Sequence, residues 1–134
     1  MSFKDISLIA GSAMAAQTVR MNTIASNLAN ANAVATTEDE AYRARKPVFA
    51  AMLDGEGVAK VKVLDVVQSS EPLRRVHEPD NPLADADGMV FYANVNEVAE
   101  MADMMSASRA FETNVEVMGR IKSMQQSLIR MGES

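Results

Sequence analysis

The side chains that could do chemistry are few and poorly matched to one another. His77 is the only histidine and cysteine is absent, so an imidazole close to Pro79 has neither a second metal ligand nor a thiolate to serve. Asp80, Asp85 and Asp87, followed by Gly88, have the composition of a calcium loop. The spacing fails: with Gly88 as the turn glycine, Leu83 falls at the first ligand position and Asn94 where a bidentate glutamate is required. Arg43, Arg45 and Lys46 form the densest basic cluster, which suits a charged strand edge as well as a binding patch. The sequence has no glycine-rich phosphate loop and no nucleophile elbow. These observations predict no catalysis, no metal and no cofactor.

Composition narrows the classes further. A net charge of −5 and a pI near 4.8, with no basic stripe to offset them, predict no nucleic-acid surface, which needs a concentrated positive field. Apolar residues make up 48% of the chain but aromatics only 4%, so alanine and methionine carry much of the burial. Such side chains suit close helix contacts that adapt to several neighbours. No apolar run is long enough to span a membrane. Residues 6–16 have the look of a secretory h-region ending in Ala13-Met14-Ala15, but Lys4 is offset by Asp5, Gly11 and Ser12 interrupt the run, and the helical pattern continues past the supposed cut. No cleaved signal peptide is expected.

The elements that would position any site are two long helices at the ends of the chain. Residues 94–131 place apolar side chains at Val98, Met101, Met105, Phe111, Val115, Met118, Ile121, Leu128 and Met131, separated mostly by threes and fours, with Gly119 the only internal glycine and no proline. As a helix this stretch would extend roughly 57 Å, more than a compact domain of this length can contain. Asn94 or Asn96 would cap it, with Glu97 and Glu100 in its first turn. Phe3, Ile6, Ala10, Ala13, Met21, Ile24, Leu28 and Ala31 follow the same rhythm, predicting a first helix capped by Ser2 that fades after Ala31 among Asn27, Asn30 and Asn32.

The middle reads differently. Residues 36–40 are a solvated loop. Residues 42–53 form a strand with an irregularity near Pro47, the Asp54-Gly55-Glu56-Gly57 run is a turn, and residues 58–68 form a half-buried strand with Val61, Val63 and Asp65 on one face and Lys60, Lys62, Leu64 and Val66 on the other; together these make a hairpin. Residues 69–88, with Pro72, Pro79 and Pro82, are extended along a surface, and residues 89–92 form a last short strand. The fold class is therefore α+β. Long terminal helices pair as an antiparallel coiled-coil-like unit (residues 1–33 and 94–134), and a small β-rich, extended segment (residues 34–93) lies between them.

Two functional classes fit these features: a structural subunit whose termini pair with each other and with neighbours, and a helical adaptor or export-chaperone-like module whose methionine-rich helix holds a client. Specific blocks then favour the first. Residues 12–32, with Ala16-Gln17, Arg20-Met21-Asn22 and Ala25-Ser26-Asn27-Leu28-Ala29-Asn30-Ala31, resemble the amino-terminal signature of bacterial flagellar rod, hook and filament-axis proteins. Ala41-Tyr42-Arg43-Ala44-Arg45, Asn81-Pro82-Leu83-Ala84-Asp85-Ala86-Asp87-Gly88 and residues 104–118 (MMSASRAFETNVEVM) are similar to blocks of the basal-body rod members of that family. Ala33 stands where threonine is common in the shared motif, and Phe111 where tyrosine is.

The resemblance implies a structural subunit of the proximal rod, exported unfolded through the flagellar type III apparatus, that transmits torque and builds the axial tube through helix packing. Its implied partners are further copies of itself, the other proximal rod proteins, the rod-to-ring adapter subunits, the distal rod proteins, the rod-capping muramidase and the export apparatus. The positions expected at subunit interfaces are Ile6, Ala10, Ala13, Met21, Ile24, Asn27, Leu28 and Asn30 on the first helix, and Met101, Met105, Arg109, Phe111, Asn114, Val115, Met118, Ile121 and Leu128 on the last.

Overall fold

A computed structural model describes residues 1–133. The chain runs α1 (Phe3–Ala29), β1 (Val34–Ala35), β2 (Arg45–Leu53), β3 (Ala59–Gln68), β4 (Arg74–His77), β5 (Met89–Tyr92) and α2 (Glu97–Glu133). This is the expected α+β arrangement of two long helices and a small antiparallel β region.

Local chemistry sets the helix ends. The Ser2 hydroxyl accepts from the Asp5 N–H at 3.2 Å and the Asp5 carboxylate accepts from the Ser2 N–H at 2.9 Å, a reciprocal cap at the positive end of α1. At the other end Asn30 donates both its backbone N–H and its side-chain amide to the Ser26 carbonyl, so α1 stops at Ala29, slightly before the expected fade. Asn96 rather than Asn94 caps α2, its side-chain oxygen accepting from the Ala99 N–H at 3.1 Å.

The helices run antiparallel along each other. Arg20 pairs with Asp103 at 3.7 Å, the Ser108 hydroxyl meets the Met21 sulfur at 3.8 Å, and Phe3 lies with Met124 and Leu128 near the far end of α2. On α2 the most enclosed positions are Glu100, Ala107, half-buried Asn114 and Ile121, which recur every seventh residue as a coiled-coil seam does. This corrects the stripe read from the sequence. Val98, Met101 and Met105 are 78%, 55% and 61% exposed on the side away from α1. Small residues at Ala10, Ala13 and Ala16 of α1 and Ala107 of α2 favour close approach, and long methionine side chains are left for the outer surface.

The opposite side of α1 carries the β2–β3 hairpin. Ser12 accepts from the Val61 N–H at 3.0 Å, and Val19, Thr23 and Ser26 line a shared cleft with Arg45 and Val66. The Asp54 carboxylate closes the turn by accepting from the Glu56 and Val58 N–H groups, both at 2.9 Å, and by pairing with Lys60 at 3.0 Å. Val48 pairs with Asp65 but Phe49 pairs with Val63, so Leu64 is an extra residue in β3. This bulge corrects the expected alternation, because one inserted residue reverses every later side chain. Val66, not Asp65, reaches the α1 side.

The second sheet has the order β1-β5-β4, all antiparallel. Neither β1 nor β4 was legible in the pattern. The segment expected to be merely extended contains β4, whose Arg74 stacks over Tyr92 at 4.7 Å and whose Arg75 stacks over Phe91 at 5.8 Å, each being its cross-strand neighbour. Central Val90 is fully buried.

Candidate assembly surface

The residues that fix the outer surface begin at a junction where both helices meet the central segment. Asn27 is 0% exposed. Its oxygen accepts from the Arg45 N–H at 2.9 Å and the Tyr42 hydroxyl at 2.8 Å, and its amide donates to the Arg45 carbonyl at 2.9 Å. One side chain thus satisfies both backbone groups of the first residue of β2, which have to be paired once buried. Asn94, in the link just before α2, joins two segments in a similar way, accepting from the Ala44 N–H at 2.7 Å and donating to the Glu71 carbonyl at 2.8 Å. Arg43 donates to the Ser69 and Glu71 carbonyls and pairs with Glu38 at 3.5 Å. Two of the blocks quoted above, around Asn27 and around Tyr42, therefore meet in space. Sequence reasoning missed the role of Asn94; its only signal was a second asparagine two residues before the true cap.

The residues expected at subunit interfaces divide into two sets. Ile6, Ala13, Met21 and Leu28 are half-buried and Ala10 and Ile24 buried on α1; Phe111 and Asn114 are half-buried and Ile121 buried on α2. These are the positions that the single chain already encloses in whole or in part. Asn27 has its side-chain groups engaged within the subunit, and Asn30 is the C-cap of α1. Met101, Met105, Arg109, Val115, Met118 and Leu128 are exposed. With Val98, Met124, Ile129 and Met131 they leave large apolar groups on the surface of α2 along nearly its whole length, roughly 50 Å.

The acidic loop is organised by backbone and arginine. Asp85 accepts from the Met89 and Asp87 N–H groups, both at 2.9 Å, and faces Arg75 at 3.6 Å. The Met89 N–H, foremost, holds its carboxyl below the usual carboxylate range. The Tyr92 hydroxyl, 2.7 Å from Glu78, lowers the Glu78 pKa, and the same bond raises that of Tyr92. Among the described residues no group of three or more histidines, cysteines or carboxylates is arranged to hold a metal ion, and no helix is long and apolar enough to cross a membrane.

Residues 8–35 match the family model for flagella basal body rod protein, and residues 86–131 match that for the flagellar basal body rod FlgEFG protein C-terminal region. The chain is 45% identical over 134 residues to the flagellar basal-body rod protein FlgC of Salmonella typhimurium, an alignment covering 99% of this chain and 100% of that one. Identity to the FlgC of Escherichia coli O157:H7 is 46% over 134 residues, with the same coverage. To that of Agrobacterium fabrum it is 35% over 125 residues, covering 92% of this chain and 90% of the other.

Proposed function

The chain belongs to the FlgC family of flagellar basal-body rod proteins, and from that premise we propose that it transmits torque through the exposed face of α2 as a subunit of the proximal rod. As a structural component of the rod it works beside other rod components and is not an enzyme. In our reading residues 1–33 and 94–134 form one helical unit that builds the axial tube, and residues 34–93 face outward. Met101, Met105, Arg109, Val115, Met118 and Leu128 meet neighbouring subunits, while Ile6, Ala10, Ile24, Phe111 and Ile121 stiffen the pair behind them. The neighbours are copies of this chain, other proximal rod proteins, the rod-to-ring adapter subunits, the distal rod and the rod-capping muramidase. The rod crosses the periplasm, and the chain reaches it through the type III export apparatus without a cleaved signal peptide.

The observation that supports this reading is the apolar surface of α2, which stays in water unless neighbours cover it. Burying a Met, Leu or Val side chain contributes about 1.5–3 kcal/mol, so several such positions bind strongly only where many subunits meet. Val115→Pro removes a backbone donor and clashes with the preceding turn, costing about 3 kcal/mol or more in mid-helix. Glu38→Pro alters the exposed loop and removes one surface ion pair, that with Arg43, which keeps its bonds to the Ser69 and Glu71 carbonyls. In a strain lacking its own copy of this rod subunit, Val115→Pro abolishes swimming while the variant is still secreted, and Glu38→Pro swims. Equal swimming by the two would show that α2 does not carry the assembly.

A further inference from the structure

The strand edges of the central segment are guarded except along one stretch. In β3 the Val61 N–H goes to the Ser12 hydroxyl, Leu64 bulges out of register and the Val66 N–H goes to the Asp65 carboxylate. Strand β4 carries Arg74 and Arg75, and β1 is two residues long. Such devices stop a sheet edge from pairing with another chain. The outer edge of β2 begins the same way: Asn27 takes both backbone groups of Arg45, and Pro47 has no N–H to offer. Beyond Pro47 the protection ends. Ala51 faces Val61 across the ladder, and since the Val61 N–H bonds to Ser12, these two residues do not bond to each other. The N–H and C=O of Ala51 therefore point away from β3, and so do those of Phe49 and Leu53, two residues to either side. No side chain or turn among the described residues bonds to these outward groups. All three residues are exposed, and residues 48–53 carry no charge.

We propose that residues 49–53 of β2 receive an added strand from a different rod component, an extended segment apolar at alternate positions with a carboxylate at the end that meets Arg45 and Lys46. Main-chain bonds to the open edge supply affinity, and a cleft beside it supplies selectivity. That cleft, of about 300 Å³, is walled by Arg45, Pro47 and Phe49, alternate residues of β2. Its charged lining is Arg20, Arg45 and Lys46 against Glu100 and Asp103, one cation in excess, and Arg20 pairs with Asp103 at 3.7 Å. Arg45 and Lys46 are exposed and make no ion pair among the described residues, so a carboxylate balances the site. The segment comes from another polypeptide because this chain offers no second open strand edge. Pairing of β2 on β2 is two-fold and closes, whereas rod subunits add head to tail. The inference rests on the rod-subunit reading and names a contact of the outward-facing segment.

Amide exchange of the full-length chain, free in solution and in basal bodies purified from the complemented strain, tests the edge. The Phe49, Ala51 and Leu53 amides exchange rapidly in the free chain and about tenfold or more slowly after assembly, whereas those of Ala50 and Met52, in the ladder with Lys62 and Lys60, are protected in both states. Lys46→Glu, whose free chain keeps the protection at Ala50 and Met52, enters basal bodies poorly or without that slowing. Equal exchange of the three edge amides in both states would overturn the proposal, as would full incorporation and slowing in Lys46→Glu. So would a disulfide-linked pair of Ala51→Cys chains formed under mild oxidation, since the protein has no cysteine of its own and the link would place β2 on β2. Absence of the unsubstituted chain from basal bodies would instead overturn the rod reading itself.

Discussion

At Asn27 one amide does what a neighbouring strand would otherwise do for Arg45, and it also takes the Tyr42 hydroxyl. Asn27→Leu leaves the Arg45 N–H and carbonyl without partners, while the Tyr42 hydroxyl keeps the Ser26 hydroxyl at 3.0 Å, and at about 1–3 kcal/mol for each unpaired group the loss is about 2 kcal/mol or more. Urea denaturation of the purified variant measures it. A change below about 1 kcal/mol would mean that water replaces the amide. Gly88 sets a second limit. Its φ of +74° is left-handed, and a Cβ there would meet His77 Cε1 and Pro79 Cβ, both at 3.1 Å. Gly88→Ala is expected to cost about 1–2 kcal/mol from the backbone alone, read as a lowered denaturation midpoint. The turn character of residues 78–88 was legible from their prolines, Asp and Gly. Asn27 was legible only as a polar residue near a helix end, because nothing in a one-dimensional pattern says which strand an amide will face.

Among the elements, the hairpin turn and the acidic loop share a pH dependence. Asp54 is lowered chiefly by the Val58 N–H, Asp85 by the Met89 N–H, and Glu78 by the Tyr92 hydroxyl. A carboxyl lowered in the folded state contributes stability that is complete above its ordinary value, 3.8 for Asp and 4.5 for Glu, and is lost as pH falls through the folded value. Tyr92, raised above 10.0, contributes below that pH and loses it as pH rises through the folded value. Protection of the Glu56, Val58, Asp87 and Met89 amides, measured against the intrinsic rate at each pH, should therefore fall as pH drops from neutral through the folded values of Asp54 and Asp85. Unchanged protection there would separate these carboxylates from loop order.

The helices differ in a way that exchange also reads. Beyond Ile121 every described side chain of α2 is exposed, so its amides should exchange quickly in the isolated chain and slowly after assembly. Protection of residues 122–133 in the dilute isolated chain would contradict this. Both helices, the hairpin and β5 were legible from periodicity and turn residues. The pairing face of α2 was not, because hydrophobicity marks the methionines while packing selects Ala107 and the heptad positions around it. Strand β4 escaped for a related reason: Arg74 and Arg75 carry no apolar alternation, and it is their stacking on Tyr92 and Phe91 that holds the strand.

The whole molecule exposes 8800 Å² of accessible surface. A compact monomer of 14.5 kDa would expose about 6,900 Å². The excess, about 1,900 Å², is on the scale of a full protein–protein interface, and the outer face of α2 contributes several of its largest exposed apolar side chains. An extended shape with a small-residue core is what the alanine-rich, aromatic-poor composition foretold. The position of each neighbour was never in the sequence, since one stripe of methionines fits many partners equally well. The most direct measurement is a cryo-electron microscopy map of basal bodies assembled with this chain. The account predicts density for α1 and α2 in the rod, with Met101, Met105, Val115 and Leu128 buried against adjoining subunits; a map in which that face of α2 lies open to solvent would contradict it.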